Sequence, residues 1–390
     1  MNLKLVTMMR RYFLYVLLIF STSCTSESIP DEVIHPVPDK LPPDKDISFT
    51  IDMDEAQQNR KAPDFSGMIH SIIDQSESGS ELFEVEDVVI DSDGNLYTRI
   101  HGSNSIEVYD FDGNHYYTIG RDGRGPGEFT YLWAMDFDSS FEHLYVLDSN
   151  EIEVFARSED GQFKPTNTIF HGLSLPTDIC ILNDNIYVSG LNLSTLDAPS
   201  DPNNPLSIFQ FNNASIHSFN VESGELSNSF GHTYQSYSGD PFLNANLSRT
   251  LLSCNEGTNT IIGLFANYGY FFGYDIQGNS IWISKIDNFK SLPIREHGIN
   301  SPTPGFGGVP NSTADSFTSF RKTDLPMDMI QIRRGDNKLS TLFLDSETGE
   351  LIYGGSSSTL PVSKNQNVGA TITFRDDEYH SMSIQTIIIE

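Results

Sequence analysis

Residues Glu84–Gly120 read EVEDVVIDSDGNLYTRIHGSNSIEVYDFDGNHYYTIG. Four short segments rich in apolar residues lie in this stretch, and turn residues separate them, with Asp93-Gly94 after the first segment and Asp112-Gly113 before the fourth. Asp-Gly between segments of alternating apolar residues is typical of tight β-hairpins. The stretch therefore predicts four antiparallel strands that follow one another along the chain.

The same four-strand pattern recurs along the chain. Its last turn is the easiest part to align because a glycine recurs there, at Gly113, Gly161, Gly224, Gly278 and Gly349, with gaps of 48, 63, 54 and 71 residues. A four-stranded propeller blade takes about 40–45 residues, so the gaps fit successive blades that carry insertions. The five turns therefore predict five blades.

Three strand-like segments remain outside these five copies: Ile47–Met53, Ala370–Arg375 and Met382–Ile389. Together they predict a sixth blade shared between the termini, which closes the ring and hides its edges. The predicted fold is all-β: a six-bladed β-propeller of four-stranded antiparallel blades, with the ring closed by N- and C-terminal strands. A seven-bladed ring and two β-sandwiches are the alternatives that the pattern leaves open.

The start of the chain has the layout of an export signal. Lys4, Arg10 and Arg11 precede an apolar run, Tyr12–Phe20, which is too short to span a membrane because a spanning helix needs about 20 apolar residues. Small residues then lead to Cys24, and this arrangement resembles the bacterial lipobox, whose cysteine is acylated and becomes the new N-terminus. The resemblance implies a membrane anchor through an acyl chain on Cys24.

The chain is predicted to have three parts: a lipoprotein signal peptide at 1–23, an acylated cysteine with a flexible tether at 24–45, and the propeller at 46–390. The tether is polar and rich in proline, so it buries too little apolar surface to fold. Its acidic residues Glu27, Asp31 and Glu32 resemble the export signal of surface lipoproteins in Bacteroidetes-type outer membranes. We therefore expect an exported outer-membrane lipoprotein that faces the periplasm or the cell surface.

A glycine-rich segment, Ile119–Phe129 (IGRDGRGPGEF), follows the first complete copy of the repeat. It resembles the blade linker of NHL-type and TolB-like six-bladed propellers, in which such a loop joins one blade's last strand to the next blade's first. The segments LYVLD at Leu144–Asp148 and IEVF at Ile152–Phe155 continue the likeness. Together with the lipoprotein signal, the linker resembles the six-bladed propeller lipoproteins of the Bacteroidetes type, many of which have no known function.

The charge of the chain argues against some partners. The formal net charge is −30, and removal of a signal that holds three basic and no acidic residues leaves −33. Such a surface repels phosphate backbones, so nucleic acid is not expected as a partner. Cys180 and Cys254 lie in strand-like segments without metal-site spacing, and two buried thiols are expected, with a disulfide as the alternative in an oxidising compartment.

The sequence contains no G-x-S-x-G or H-E-x-x-H motif and no metal-spaced cluster of His and Cys. The predicted function is therefore a non-catalytic scaffold of the cell envelope that binds a protein or a small ligand, without a cofactor. The alternative is a metal-dependent hydrolase that resembles the calcium-dependent lactonase propellers. Its Ca²⁺ site would lie in the central channel, with Glu86, Asp136, Asp178 and Asn183 as candidate ligands.

The predicted binding residues all fall on one rim of the propeller, where loops vary on a rigid scaffold. They are His101, Asn104, Arg121, Arg124, Glu128, Tyr131, Trp133 and Asn150. Paired arginines suit an anionic group, and tryptophan is enriched at binding hot spots. The competing interpretation is structural: the glycines serve the crossing between blades, Trp133 fills space, and the arginines pair with nearby acids.

Three long polar insertions are also expected to cap this rim: Leu193–Pro205, His232–Asn246 and Gly298–Ser316. Loops of this length inside a compact domain are usually functional or disordered.

The anchor assignment predicts the behaviour of a single variant. Replacing Cys24 by serine removes the only thiol that the lipobox-like segment offers for acylation, so Cys24→Ser should move the protein from the membrane fraction to the soluble fraction. Fractionation followed by immunoblotting measures this shift. A variant that stays in the membrane fraction contradicts the anchor at Cys24.

Overall fold

The computed structural model of the chain describes residues 42, 46–54, 69–74, 85–195, 209–211, 214–234, 244–245, 247–291, 314–322, 326–335, 339–356, 360–365, 368–374 and 380–386. Strands dominate these residues. No helix among them is both long enough and apolar enough to cross a membrane.

The strands, in chain order, are β1 (Phe49–Ile51), β2 (Ile69–Asp74), β3 (Val85–Ile90), β4 (Leu96–Ile100), β5 (Ile106–Tyr109), β6 (His115–Ile119), β7 (Ala134–Phe137), β8 (His143–Leu147), β9 (Glu151–Arg157), β10 (Phe163–Phe170), β11 (Asp178–Leu182), β12 (Asn185–Ser189), β13 (Leu193–Thr195), β14 (Phe209–Phe211), β15 (Ile216–Asn220), β16 (Leu226–Phe230), β17 (Thr250–Asn255), β18 (Thr260–Phe265), β19 (Tyr270–Tyr274), β20 (Ser280–Ile286), β21 (Ser316–Lys322), β22 (Met327–Arg333), β23 (Leu339–Asp345), β24 (Leu351–Ser356), β25 (Leu360–Asn365), β26 (Val368–Phe374) and β27 (His380–Thr386).

Six sheets of four or more strands form the blades of a propeller. In order from the axis outward they are blade 1 (β3, β4, β5, β6), blade 2 (β7 to β10), blade 3 (β11, β12, β15, β16), blade 4 (β17 to β20), blade 5 (β21 to β24) and blade 6 (β25, β26, β27, β2). The innermost strands of neighbouring blades lie side by side around the axis, and blade 6 returns to blade 1. The predicted six-bladed fold with four-stranded antiparallel blades is confirmed.

The ring is closed by a pairing between the two ends of the chain. β2 pairs antiparallel with β27, so an N-terminal strand completes the blade that three C-terminal strands begin. This closure was predicted, but the predicted N-terminal strand, Ile47–Met53, was wrong. That segment contains β1, which pairs parallel with β20 as a fifth strand on the outer edge of blade 4.

The position of β1 follows from its apolar side chains. Ile51 and Met53 are buried and pack with Trp282 in the cluster that fills the space between blades 4 and 5. Burying these two side chains stabilises the strand there. β2, in contrast, takes the outer place in blade 6.

The five predicted turn glycines all lie between the third and fourth strands of their blades. Gly113, Gly161, Gly224, Gly278 and Gly349 have φ between +68° and +84°, a region that favours glycine. Blade 6 has no turn at the corresponding place, because its last two strands come from opposite ends of the chain. The repeat in the sequence therefore shows five copies where the fold has six blades.

The apolar core lies between the blades. At the joint of blades 1 and 2, Tyr97, Phe137 and Phe163 are buried, with ring centroids 5.0 to 5.7 Å apart. The inner strands β11 and β17 are buried along nearly their whole length, whereas the outer strands β6 and β16 are mostly exposed. Rigid inner strands thus carry loops whose sequence is free to vary at the two ends of the ring.

A disulfide joins Cys180 on β11 to Cys254 on β17, with a Cα–Cα distance of 5.6 Å. The expectation of two buried thiols was therefore wrong. β11 and β17 are the innermost strands of blades 3 and 4, and their neighbouring positions near the axis bring together two residues 74 positions apart. Disulfides of this kind persist in oxidising compartments.

Loss of the disulfide should lower stability. By the chain-entropy model, opening a loop of this length costs about 4 kcal/mol. We therefore expect the double variant Cys180→Ala, Cys254→Ala to unfold at lower denaturant or lower temperature than the wild type.

Reductant serves as the matched control in the same unfolding experiment. It should lower the wild-type midpoint towards that of the double variant and leave the variant unchanged. If the wild type, unfolded without reductant, shows two thiols that react with a thiol reagent, the disulfide between Cys180 and Cys254 is contradicted.

Candidate binding site on the linker face

Two sets of loops share one end of the propeller, which we call the linker face: the crossings between blades, and the turns between the second and third strands. Contacts between blades 1 and 2 show how these loops meet. The side-chain amide of Asn104, in the β4–β5 turn, donates to Asp122 Oδ1 at 2.8 Å and to the backbone oxygen of Thr130 at 3.2 Å. The turn of blade 1 is thereby tied to the crossing that leads into blade 2.

The crossing from Gly120 to Phe129 is held by its own residues. Gly120 has φ of +76°, and a Cβ at this position would overlap the ring of Phe129, so the close approach requires glycine. Phe129 is fully buried and lies 6.0 Å from Phe155, centroid to centroid. The crossing is therefore anchored by an aromatic ring inserted between blades 1 and 2.

Glu128 organises the polar side of the crossing. Its carboxylate accepts hydrogen bonds from the backbone N–H of Arg124 at 3.0 Å and of Gly125 at 2.9 Å, and from the Arg121 guanidinium at 2.6 and 2.8 Å. The Gly125 N–H first, and then the guanidinium, lower the pKa of Glu128. A second carboxylate, Glu153 of β9, accepts from the Gly127 N–H at 3.1 Å.

The two predicted arginines have different surroundings. Arg121 pairs with Glu128, as the structural interpretation expects, although its side chain is 79% exposed. Arg124 uses its backbone N–H in the loop, and its exposed guanidinium forms no ion pair with the residues that the structure describes. Only Arg124 therefore presents a free positive charge at this crossing.

Tyr131 and Trp133 form an aromatic pair at the end of the crossing. Their ring centroids are 4.5 Å apart, and Tyr131 is 46% exposed. Asp148, from the β8–β9 turn, fixes the backbone beneath them: it accepts from the N–H of Tyr131 at 2.6 Å and from the N–H and hydroxyl of Thr130. The pair thus sits on a backbone held by hydrogen bonds.

A charged cluster lies next to this pair. Glu86, at the start of β3, pairs with Arg99 of β4 and accepts a contact from His101 Nδ1 at 2.5 Å. Arg99 also donates to the backbone oxygen of Leu132 at 3.5 Å, which ties the cluster to the backbone at the end of the crossing. Arg99 was not among the predicted site residues, because an arginine within a strand segment such as LYTRI is typical of any structural residue.

Blade 2 adds a further exposed ring to the linker face. Phe170, the last residue of β10, is 69% exposed. The next residue, His171, is buried: its N–H donates to Asn150 O at 3.1 Å, and its Nε2 donates to Asp148 O at 3.1 Å. Burial lowers the pKa of His171, which is consistent with a neutral ring. Asn150 therefore contributes its backbone oxygen to the frame below Phe170.

The three predicted insertions lie in the chain between β12 and β15, between β16 and β17, and between β20 and β21. Their described parts are β13, the segment 232–234 with 244–245, and residues 314–316, whereas β14, which pairs with β13, begins after Pro205. Tyr234 stacks on Tyr268 with centroids 5.5 Å apart. The remaining residues of the insertions lie outside the described part of the chain.

The central channel is the space enclosed by the six innermost strands. It contains a cavity of about 30 Å³, lined partly by the disulfide. A cavity of this volume has room for about one or two water molecules. Lys322 Nζ lies 3.1 Å from Asp136 Oδ2, and since β21 and β7 belong to opposite blades, this ion pair crosses the channel.

The four candidate ligands of the hydrolase alternative all have protein partners. Glu86 pairs with Arg99, Asp136 pairs with Lys322, and Asp178 accepts the Leu252 N–H at 2.9 Å. The Asn183 amide donates to Asn259 Oδ1 at 3.1 Å. Among the described residues, no group of three or more His, Cys, Asp or Glu side chains is placed to hold a metal ion.

A buried carboxylate joins blades 4 and 5. Asp328 accepts hydrogen bonds from the hydroxyls of Ser253 and Ser346, the latter at 2.5 Å. Burial raises its pKa to about 6. Asn255 donates to Ser346 at 3.1 Å, which completes a polar network. These hydrogen bonds link residues of blade 4 to residues of blade 5, so the network serves the joint between the blades.

Comparisons with known proteins agree on the fold. A family described as DUF5128, 6-bladed beta-propeller, matches residues 75–230. An exported protein from Bacteroides fragilis has a similar structure, with 10% identity, a TM-score of 0.54, and coverage of 87% of this chain and 99% of that one. A member of the DUF4221 family from Bacteroides vulgatus is similar at 10% identity and a TM-score of 0.51, with coverage of 86% and 100%. No protein with a curated description matches the chain.

Proposed function

We propose that this protein is a cell-envelope lipoprotein whose propeller serves as a rigid, non-catalytic scaffold and binds an envelope protein at the linker face of blades 1 and 2. One observation carries the proposal. The half-exposed ring of Tyr131 packs against Trp133, with the ring planes tilted by 50°, at the end of a crossing that three buried or paired carboxylates hold in place. Rigid aromatic residues on a preorganised backbone are typical of binding hot spots.

Observations outside the linker face support the proposed cellular location. The export signal and Cys24 argue for acylation, and the Cys180–Cys254 disulfide fits an oxidising compartment. A protein with a similar fold from Bacteroides fragilis is described as exported. We propose an outer-membrane lipoprotein anchored by its acyl chain, as the sequence indicates.

The chemistry of the rim favours a protein partner. Tyr131 and Phe170 offer exposed aromatic surface, and Arg124 offers a free guanidinium. A guanidinium binds a carboxylate through two parallel hydrogen bonds. We therefore expect a partner that presents a carboxylate to Arg124 and an apolar side chain to the aromatic pair.

The hydrolase alternative has less support from the geometry. Its candidate ligands are engaged in ion pairs and hydrogen bonds, and an ion pair crosses the small cavity in the channel. The scaffold interpretation is compatible with all these contacts, since each one stiffens the ring.

Site-specific photocrosslinking in cells tests the binding surface. With p-benzoylphenylalanine in place of Tyr131, we expect a discrete adduct with one envelope protein. The control places the same probe at Leu226, which is 57% exposed on β16 of blade 3, away from the crossing. No adduct at either position, or the same adduct at both, contradicts the proposed surface.

A pair of charge variants sharpens the same experiment. Arg124→Ala removes the free guanidinium and should lower the adduct yield at position 131 by about tenfold, the effect of a hot-spot contact. Lys164→Ala is the matched control, because Lys164 is exposed near the opposite end of blade 2 and pairs locally with Asp160. Equal yields from the two variants contradict a role for Arg124.

A further inference from the structure

His171 connects the crossing between blades 2 and 3 to the turn that holds Tyr131. Its ring is buried, and Nε2 donates to the backbone oxygen of Asp148 at 3.1 Å. Its backbone N–H donates to the backbone oxygen of Asn150 at 3.1 Å, so both acceptors lie in the β8–β9 turn. The carboxylate of Asp148 in turn accepts from the backbone N–H of Tyr131 at 2.6 Å. A single residue, Asp148, therefore links the His171 ring to the backbone of Tyr131.

The other ring nitrogen of His171 fixes its protonation state. Nδ1 accepts a hydrogen bond from the backbone N–H of Leu173 at 3.0 Å. A backbone N–H can only donate, so Nδ1 must be unprotonated. The proton of the neutral ring then lies on Nε2, where the hydrogen bond to the backbone oxygen of Asp148 needs it. The contacts of this side chain therefore require a neutral imidazole.

Two other histidines with a lowered pKa differ in this respect. Burial lowers the pKa of His217 and His232, as it does for His171. However, His217 Nδ1 lies 2.9 Å from the hydroxyl of Ser229, and His232 Nδ1 lies 2.7 Å from the hydroxyl of Tyr274. A hydroxyl can accept as well as donate, so it can turn to accept from a protonated ring. Of these three histidines, only His171 must lose a hydrogen bond when it is protonated.

We infer that His171 makes the proposed binding surface sensitive to acid. A proton taken from solvent onto Nδ1 sets two donors against each other, which breaks the hydrogen bond with Leu173 and displaces the ring from Asp148. The β8–β9 turn then no longer fixes the backbone of Tyr131, and the aromatic pair loses its position. His171 is a positioning residue, since it acts through Asp148. The inference rests on the proposed function and adds a regulation of the same site.

Three titratable groups lie on the elements packed against His171. Asp148 acts against the effect of burial on the pKa of His171, through its backbone oxygen and its charge. Glu151 lies opposite Phe170 in the pairing of β9 with β10, and its charge has the same sign as that of Asp148. On β15, burial and, to a smaller extent, His171 lower the pKa of His217, so a charge on either ring opposes a charge on the other. The two carboxylates thus favour protonation of His171, whereas burial and His217 oppose it.

The sign of the response follows from the neutral ring. Burial lowers the pKa of His171 below the ordinary value of about 6.5, so the contribution of its hydrogen bonds is complete above that pH. It is lost as the pH falls through the pKa of the folded protein. His115 has the opposite arrangement, because its Nε2 lies 2.8 Å from a carboxylate oxygen of Glu107, and protonation strengthens this contact. An exposed histidine of this kind therefore does not account for a loss of order in acid.

Nuclear magnetic resonance with two labels tests the inference. ¹⁵N-labelled histidine reports the protonation of the His171 ring, and 3-fluorotyrosine in place of Tyr131 reports the surroundings of that side chain. We expect both signals to titrate with one shared midpoint, below a pH of about 6.5. His171→Gln assigns the ring signal and keeps a donor for Asp148 without titrating, so the ¹⁹F signal should stay constant over the same range. His115→Gln is the matched control and should behave as the wild type.

A second variant covers the case in which His171→Gln does not fold. His171→Asn keeps an acceptor for the backbone N–H of Leu173 and does not titrate either, so it should also remove the acid response at position 131. Three results overturn the inference: a constant ¹⁹F signal while His171 titrates, a His171 ring that stays neutral until the protein unfolds, or an acid response that survives in the folded variant.

The crosslinking experiment separates this failure from that of the proposed function. In isolated cell envelopes, the adduct at position 131 should fall about tenfold between neutral pH and a pH of about 5, the effect of losing a hot-spot contact. An adduct that stays undiminished in acid supports the binding surface and overturns its regulation by His171. Shared titration of both labels without any adduct supports the link from His171 to Tyr131 and contradicts the proposed partner.

Discussion

The pairing of β2 with β27 is the interaction on which the rest of the structure depends. It joins strands from opposite ends of the chain in one blade, so the ring closes only when the whole chain has folded. An open ring would expose the backbone edge of β27 in blade 6. Closure also sets the positions of all six innermost strands, and through them the spacing of the loops on the linker face.

Three carboxylates fix the conformation of the crossing that carries the proposed binding surface. Glu128, Glu153 and Asp148 each accept backbone N–H groups from the crossing between blades 1 and 2. The crossing is rich in glycine and would lose much conformational entropy on binding if it were free. Because these hydrogen bonds already fix it, Tyr131 and Trp133 are presented to a ligand without that cost. These three carboxylates thus hold the glycine-rich crossing in one conformation.

The sequence was informative where a local rule decides the conformation. The turn glycines need positive φ and lie at the predicted turns, and the linker lies at the predicted crossing. The predictions that failed concern features that are set by contacts between residues far apart in the sequence. The segment Ile47–Met53 and the strand β2 are both short, and only the packing of Ile51 and Met53 against blades 4 and 5 assigns the first of them to blade 4. The disulfide depends on two innermost strands being adjacent, which strand patterns do not reveal. Arg99 became part of the candidate site only through its contact with Leu132.

The proposed binding surface lies on blades 1 and 2, and blade 1 borders the closing blade, so this surface depends on a ring that holds together as one unit. Amide hydrogen exchange on a chain truncated from Met382 onward measures this most directly, since the deletion removes most of β27. If the pairing of β2 with β27 holds the ring together, protection falls in all six blades together and thermal unfolding shifts to lower temperature. Loss of protection confined to blade 6, with blades 1 to 5 protected as in the intact chain, would contradict it.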